Sequence, residues 1–212
     1  RASAKVEASR WSTLQPLRRS SAAKWRMALH TRQSPALGGC LTDVELQTEL
    51  LINRCGFAPS DILTLTEEQA SRKFIENAFL DHLGKQAKAE DVVIFHFSGY
   101  GTRVNPGTGI FQNAIVTVDE NKLLGTKSTN YLLEDNLLQL LRSLPTNQVT
   151  AVLDTSYHHP RELKPIGLRI RTRPELSTAS LPIEELQLIE RLKDQKSQND
   201  HPLIINATSE LN

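Results

Sequence analysis

Asp91 to Gly101 read DVVIFHFSGYG. Val92 through Phe97 form a nearly continuous apolar run broken only by His96, the pattern of a central parallel strand covered on both faces rather than a half-exposed one. Gly99 and Gly101 end the run, where a missing Cβ permits a sharp turn and brings backbone N–H groups close to whatever lies there. Val149 to Ser156, VTAVLDTS, repeats the pattern as a second central strand. Ile62 to Thr66 and Pro202 to Thr208 (PLIINAT) are shorter β-branched runs that read as outer strands.

Helical periodicity fills the intervals. Thr42 with Glu45 has the spacing of a capping box, and Leu46, Leu50 and Leu51 mark one face of a helix stopping at Gly56. Thr66 with Gln69 opens a second, with Ile75, Phe79 and Leu83 on its inner side. Leu133, Leu137, Leu140, Leu141 and Leu144 give a third, ended by Pro145, and a fourth is expected over about Ile183 to Leu192. Strands alternating with helices imply a mostly parallel sheet with helices on both faces, an αβα sandwich. The 212 residues suit one such domain.

Composition narrows the function classes. A net charge of +1 gives no overall attraction to nucleic acid or anionic lipid, and no stretch approaches the roughly 18 apolar residues of a membrane helix. Cys40 and Cys55 flank the first helix, which would hold them roughly 22 Å apart, so no disulfide joins them. Two unpaired thiols suit a reducing compartment, and a cytoplasmic location is the expectation. Residues 1–35 stand apart as a basic, Ser/Ala-rich extension with eight Arg or Lys against the single acid Glu7. That composition resembles an organellar transit peptide, and Arg18-Arg19 faintly resembles a twin-arginine export signal, although no apolar run of 7 to 15 residues follows. Residues 36–212 are assigned to the folded domain, with a basic loop region at 157–180.

Ligands of open parallel sheets bind at the carboxyl ends of the strands. Here those ends carry HFSGYG, residues 96–101, and DTSYHH, residues 154–159. The two motifs, together with GCLTDVELQTELL at 39–51, resemble the caspase-like peptidases, and among them the metacaspases and orthocaspases, which carry HYSGHG and DxCHSG at this distance. The resemblance implies a caspase-like fold, and it puts Tyr100 at the position of the family's catalytic His and Ser156 at that of its Cys. It also matches the backbone N–H groups of Gly101 and Ser156 to the oxyanion hole, and Asp43 and Asp154 to the carboxylates that hold a basic substrate side chain. Asp43 could instead serve its helix start, where negative charge is favoured, and Asp154 could cap a loop.

The family chemistry needs a thiolate nucleophile and an imidazole acid-base. A tyrosine with a reference pKa near 10 is phenolate in only about one molecule in a thousand at pH 7, and a serine hydroxyl is a poor nucleophile without an activating base. His96 lies roughly 13 Å along its strand from Tyr100, while His158 and His159 read as loop residues without recognised metal-ligand spacing. The expectation is therefore an inactive pseudo-peptidase that binds a peptide or protein partner through a basic side chain. The alternatives are a purely structural subunit and a residual hydrolase using Ser156. No cofactor is expected from the residues, and Ca²⁺ enters only through the resemblance. The usual opening apolar strand is replaced by KWRMALHTRQSPALGG, a short, charged candidate, and the sheet after PLIINAT presents an edge suited to pairing with another chain.

Overall fold

The computed structural model describes residues 24–28, 37, 39–66, 69–105, 109–118, 131–158, 171–172 and 202–207. The apolar run at the head of the sequence argument becomes β3 (Val92–Ser98), the middle strand of a five-stranded sheet. Its neighbours are β1 (Lys24–Ala28) and β7 (Gln148–Asp154), and β2 (Ile62–Leu65) and β8 (Leu203–Asn206) complete the order β2-β1-β3-β7-β8. Every pairing in this sheet is parallel. A second, antiparallel sheet joins β4 (Gly101–Val104), β5 (Gln112–Ile115) and β6 (Leu132–Leu133).

Strand alternation sorts the side chains onto two faces. Val93, Phe95, Phe97, Val149, Ala151 and Leu153 point one way, into a cluster with Ile75, Phe79 and Leu83 and with Leu137, Leu140, Leu141 and Leu144. The first trio comes from α2 (Arg72–Ala78) and the π-helical segment Phe79–Gly84 that continues it. The second group comes from α3 (Glu134–Arg142) and the turn after it. On the opposite face, His96 and Val152 line a cavity together with Leu46 and Gln47 of α1 (Gly39–Asn53). Helices thus cover both faces of a parallel sheet, the expected three-layer caspase-like architecture.

Several local expectations are corrected. The first helix starts at Gly39, so Thr42 is inside it and cannot cap it. Cys40 is likewise within the helix, and both cysteines are free thiols. The buried face also differs from the expected one: Cys40, Val44 and Leu51 are buried, while Leu46 and Leu50 are exposed. Gly56, at φ +72°, makes the left-handed turn that ends this segment, a conformation favoured by the absence of Cβ. The second helix opens at Arg72, not at Thr66. Ser71 caps it by accepting the Phe74 N–H, whereas Thr66 contributes only its carbonyl to a turn with Gln69. The charged KWRMA is β1, inserted between β2 and β3, so the sheet draws a strand from the 1–35 segment. The fourth helix near 183–192 lies outside the described residues.

Candidate functional site

Strands β3 and β7 run side by side in register from Val92 opposite Gln148 to Ser98 opposite Asp154. The chain leaves both strands at the same edge, and the two exits touch. A Cβ on Gly101 would lie 2.7 Å from the Ser156 carbonyl oxygen and the Thr155 hydroxyl, and 2.9 Å from the Tyr157 ring. Only glycine fits there without moving backbone. Tyr100, just before it, is buried in a cluster with Leu37, Cys40, Val104, Ala114, Val116, Tyr131 and Leu133, between α1 and the small sheet. Ser156 is half-buried. Among the described residues no base hydrogen-bonds its hydroxyl, and His158 is exposed.

Asp43 is placed by the first turns of α1 over the end of β3, and Asp154 by the last position of β7. The structure brings the two carboxylates onto a single cation, Arg171. Its Nη2 donates to Asp43 Oδ2 at 2.6 Å, and its Nη1 donates to Asp154 Oδ2. Nη1 also donates to the Ser98 hydroxyl at 2.7 Å and to the Asp154 carbonyl at 3.3 Å, and Ser98 in turn donates to Asp43 Oδ2 at 2.8 Å. The planar guanidinium suits this, because its donors are held in a fixed fork that can bridge two acceptors.

The backbone of the same residue fills the other half of the site. The Arg171 carbonyl accepts from the N–H of Gly101 at 3.0 Å and of Ser156 at 3.1 Å, with the Thr155 hydroxyl at 3.5 Å. Gly101 and Thr172 form a parallel β-bridge, and Thr172 is buried. Both N–H groups matched to the oxyanion hole therefore converge on one carbonyl oxygen, and both matched carboxylates converge on the side chain of that same residue. A cavity of about 300 Å³ adjoins the carboxylates, lined further by Leu46, Gln47, His96, Val152 and Ile205.

Charge states follow from the geometry. Burial, the largest influence on Asp43, pushes its carboxyl up, but the hydrogen bonds from Arg171 and Ser98 and the charge of Arg171 outweigh it and hold the group below its ordinary value. Burial lowers Arg171, and its two carboxylate partners raise it further than burial lowers it. Burial pushes the Cys40 thiol up, and its contacts with Ser98 and Arg171 only partly oppose this. Tyr157 is raised by burial and then by the charge of Glu134, so it stays a neutral phenol.

Ser98 and Arg171 were not singled out from sequence as site residues. Ser98 was findable, since it lies two residues before Tyr100 and opposite Asp154. Arg171 was one of five basic residues between Arg161 and Arg173, all of which read as exposed loop. Among the described residues, no group of three or more His, Cys, Asp or Glu side chains could hold a metal ion, and no helix is long and apolar enough to cross a membrane.

The parallel sheet, its two disposed helical layers and the paired carboxylates at the strand ends define an α/β domain of the caspase-like class. Residues 28–160 match the family model described as "Metacaspase, peptidase C14 domain". The chain belongs to the metacaspase family. It is 36% identical over 132 residues to Metacaspase-7 of Arabidopsis thaliana, covering 57% of this chain and 30% of that protein. Metacaspase-6 of the same plant is 30% identical over 127 residues, covering 58% and 33%. Metacaspase-1 of Yarrowia lipolytica is 29% identical over 133 residues, covering 58% and 28%. The chain spans about a third of the length of these relatives.

Proposed function

We propose that this domain is a peptidase-fold binding module that holds an arginine-bearing peptide without cutting it. The observation that carries the reading is the convergence of Asp43, Asp154 and Ser98 on one guanidinium while Gly101 and Ser156 hold the carbonyl of the same residue. Binding and chemistry depend on different groups. The binding groups are present, whereas Tyr100 and Ser156 stand where the resemblance puts the imidazole and the thiolate. Losing a nucleophile or base from comparable triads costs about 10⁴- to 10⁶-fold in rate, and here both are replaced.

The test is to restore the chemistry. In a Tyr100→His, Ser156→Cys double variant, the thiolate would add to the Arg171 carbonyl carbon, the imidazole would protonate the departing Thr172 nitrogen, and water would hydrolyse the thioester. The expected result is a wild-type chain of unchanged intact mass after prolonged incubation, with and without Ca²⁺, and a double variant that splits between Arg171 and Thr172. Fragments from wild type that disappear in Ser156→Ala would overturn the non-cutting reading in favour of a serine-based hydrolase.

A further inference from the structure

Strand alternation leaves the two faces of β7 unequally covered. Val149, Ala151 and Leu153, on the side of α2 and α3, are buried, whereas Thr150, Val152 and Asp154 on the other side are only half-buried. In β8, Ile204 packs against the core, while Leu203 and Ile205 belong to the less covered face. That face carries α1, which packs on β1 and β3. The flank of α1 toward β7 brings Leu46 to the cavity beside Val152, and Leu50 follows one turn later. Leu46, Leu50, Leu203 and Ile205 are 47% to 63% exposed, and they are four of the six large apolar side chains exposed among the described residues. An apolar trough therefore runs between α1 and β8, and the cavity of about 300 Å³ beside Asp43 and Asp154 is its end at the strand exits.

We propose that this trough is a docking site for an amphipathic helix of a partner protein, with an aliphatic stripe at i, i+3 or i+4, and i+7. The proposal goes beyond the arginine-binding reading and does not depend on it. Width is the first argument: two strands span about 10 Å, which is the room one helix needs beside α1 at the usual spacing of about 8–10 Å. Charge is the second. At the strand exits, two carboxylates, Asp43 and Asp154, share the single guanidinium of Arg171, which leaves one net negative charge. At the other end stands Arg54, exposed, one turn past Leu50 on the same flank, with its N–H still bonded to the Leu50 carbonyl at 2.9 Å. A helix lying parallel to α1, amino end at Asp43 and carboxyl end at Arg54, sets each pole of its dipole against the opposite charge. A second copy offers its own α1 poorly, because the side of α1 away from the sheet presents Thr42, Glu45 and Glu49. Right-handed steps toward the β8 edge, as from β2 to β3 and from β3 to β7, carry their helices on the α2 and α3 face, opposite the trough.

Two probes test this, each on wild type, Leu50→Glu, Ile205→Lys and, as a control on α2, Phe74→Glu. All three side chains are exposed, so the variants keep the core intact. The first probe is anilinonaphthalene sulfonate, whose fluorescence reports accessible apolar surface. Wild type and Phe74→Glu should bind the dye and the two trough variants should lose most of the signal. A wild type that leaves the dye dark has its trough covered by its own chain, and that overturns the proposal. The second probe is a displayed library of four-turn helices with the aliphatic stripe varied, selected on wild type. Selected helices should lose at least tenfold in affinity on Leu50→Glu and on Ile205→Lys, should ignore Phe74→Glu, and should weaken about twofold to fivefold on Arg54→Glu. A selection that yields no helix sensitive to Leu50 and Ile205 refutes the docking site, and tighter binding to Arg54→Glu refutes the direction. Light scattering decides the remaining occupant: a wild-type dimer that becomes monomeric on Ile205→Lys would give the trough to a second copy and overturn the partner helix.

Discussion

Replacing Asp43 with Asn isolates the electrostatic part of the cleft. One oxygen, Oδ2, accepts both the Arg171 Nη2–H at 2.6 Å and the Ser98 hydroxyl at 2.8 Å. Asparagine keeps the shape and one acceptor oxygen but loses the charge. A hydrogen bond to a charged group contributes about 1.5–3 kcal/mol and a neutral one about 0.5–1.5 kcal/mol, so the exchange removes roughly 1–1.5 kcal/mol before screening. The Arg171 and Asp43 side chains keep 24% and 28% of their exposure, so solvent reduces that to about 1 kcal/mol. For a chain of this length the melting temperature should fall by about 2–4 °C at pH 7. The pH dependence supplies the sharper check. Asp43 is held below its ordinary value of 3.8 in the folded state. Its stabilisation is therefore fully present above that value and is lost as pH falls through the lower, folded one. Melting curves of wild type and Asp43→Asn should be separated at pH 7 and draw together as pH falls below 3.8 through the lowered folded value. A separation that is absent at neutral pH, or that persists undiminished in acid, would refute the claim that Asp43 acts as an ionised partner of Arg171.

Two further outcomes follow from the packing. Gly101→Ala places a methyl group 2.7 Å from the Ser156 carbonyl oxygen, so the two strand exits must separate. Thermal or urea unfolding should show a loss of about 1–3 kcal/mol, with hydrogen exchange accelerated at Ser156, whose N–H donates to the Arg171 carbonyl; an unperturbed variant would mean the exits are not in contact. Cys40 is fully buried with its thiol pKa raised by that burial, whereas Cys55 is partly exposed. A disulfide reagent at pH 8 should therefore modify one thiol per chain rapidly and the second only in denaturant, with Cys55→Ser abolishing the fast phase.

The elements that sequence reading located well are those whose identity is set locally. The apolar run of β3, the strand at 148–154 and the inner faces marked by Ile75, Phe79 and Leu83, and by Leu137, Leu140 and Leu141, are each encoded within a few turns or residues. Asp43, Asp154, Gly101 and Ser156 were legible through the family resemblance, because they lie at fixed offsets from the ends of those strands. Helix starts were less legible: Thr42 and Glu45 have the spacing of a capping box, but the helix begins three residues earlier, at Gly39, and buries Cys40 in its first turn. The charged β1 was hard to rank because a strand flanked by two others on its hydrogen-bonding edges gains from pairing that its own composition does not show.

What occupies the cleft could be decided only in three dimensions. Arg161, Lys164, Arg169, Arg171 and Arg173 are nearly equivalent as a sequence, each a basic residue past the end of β7. In the structure Arg171 places its guanidinium between Asp43, 128 residues away in the chain, and Asp154 while its carbonyl reaches Gly101 and Ser156. That selection depends on where four separate segments lie relative to one another, and pairings at such separation leave no periodicity for a linear reading to detect.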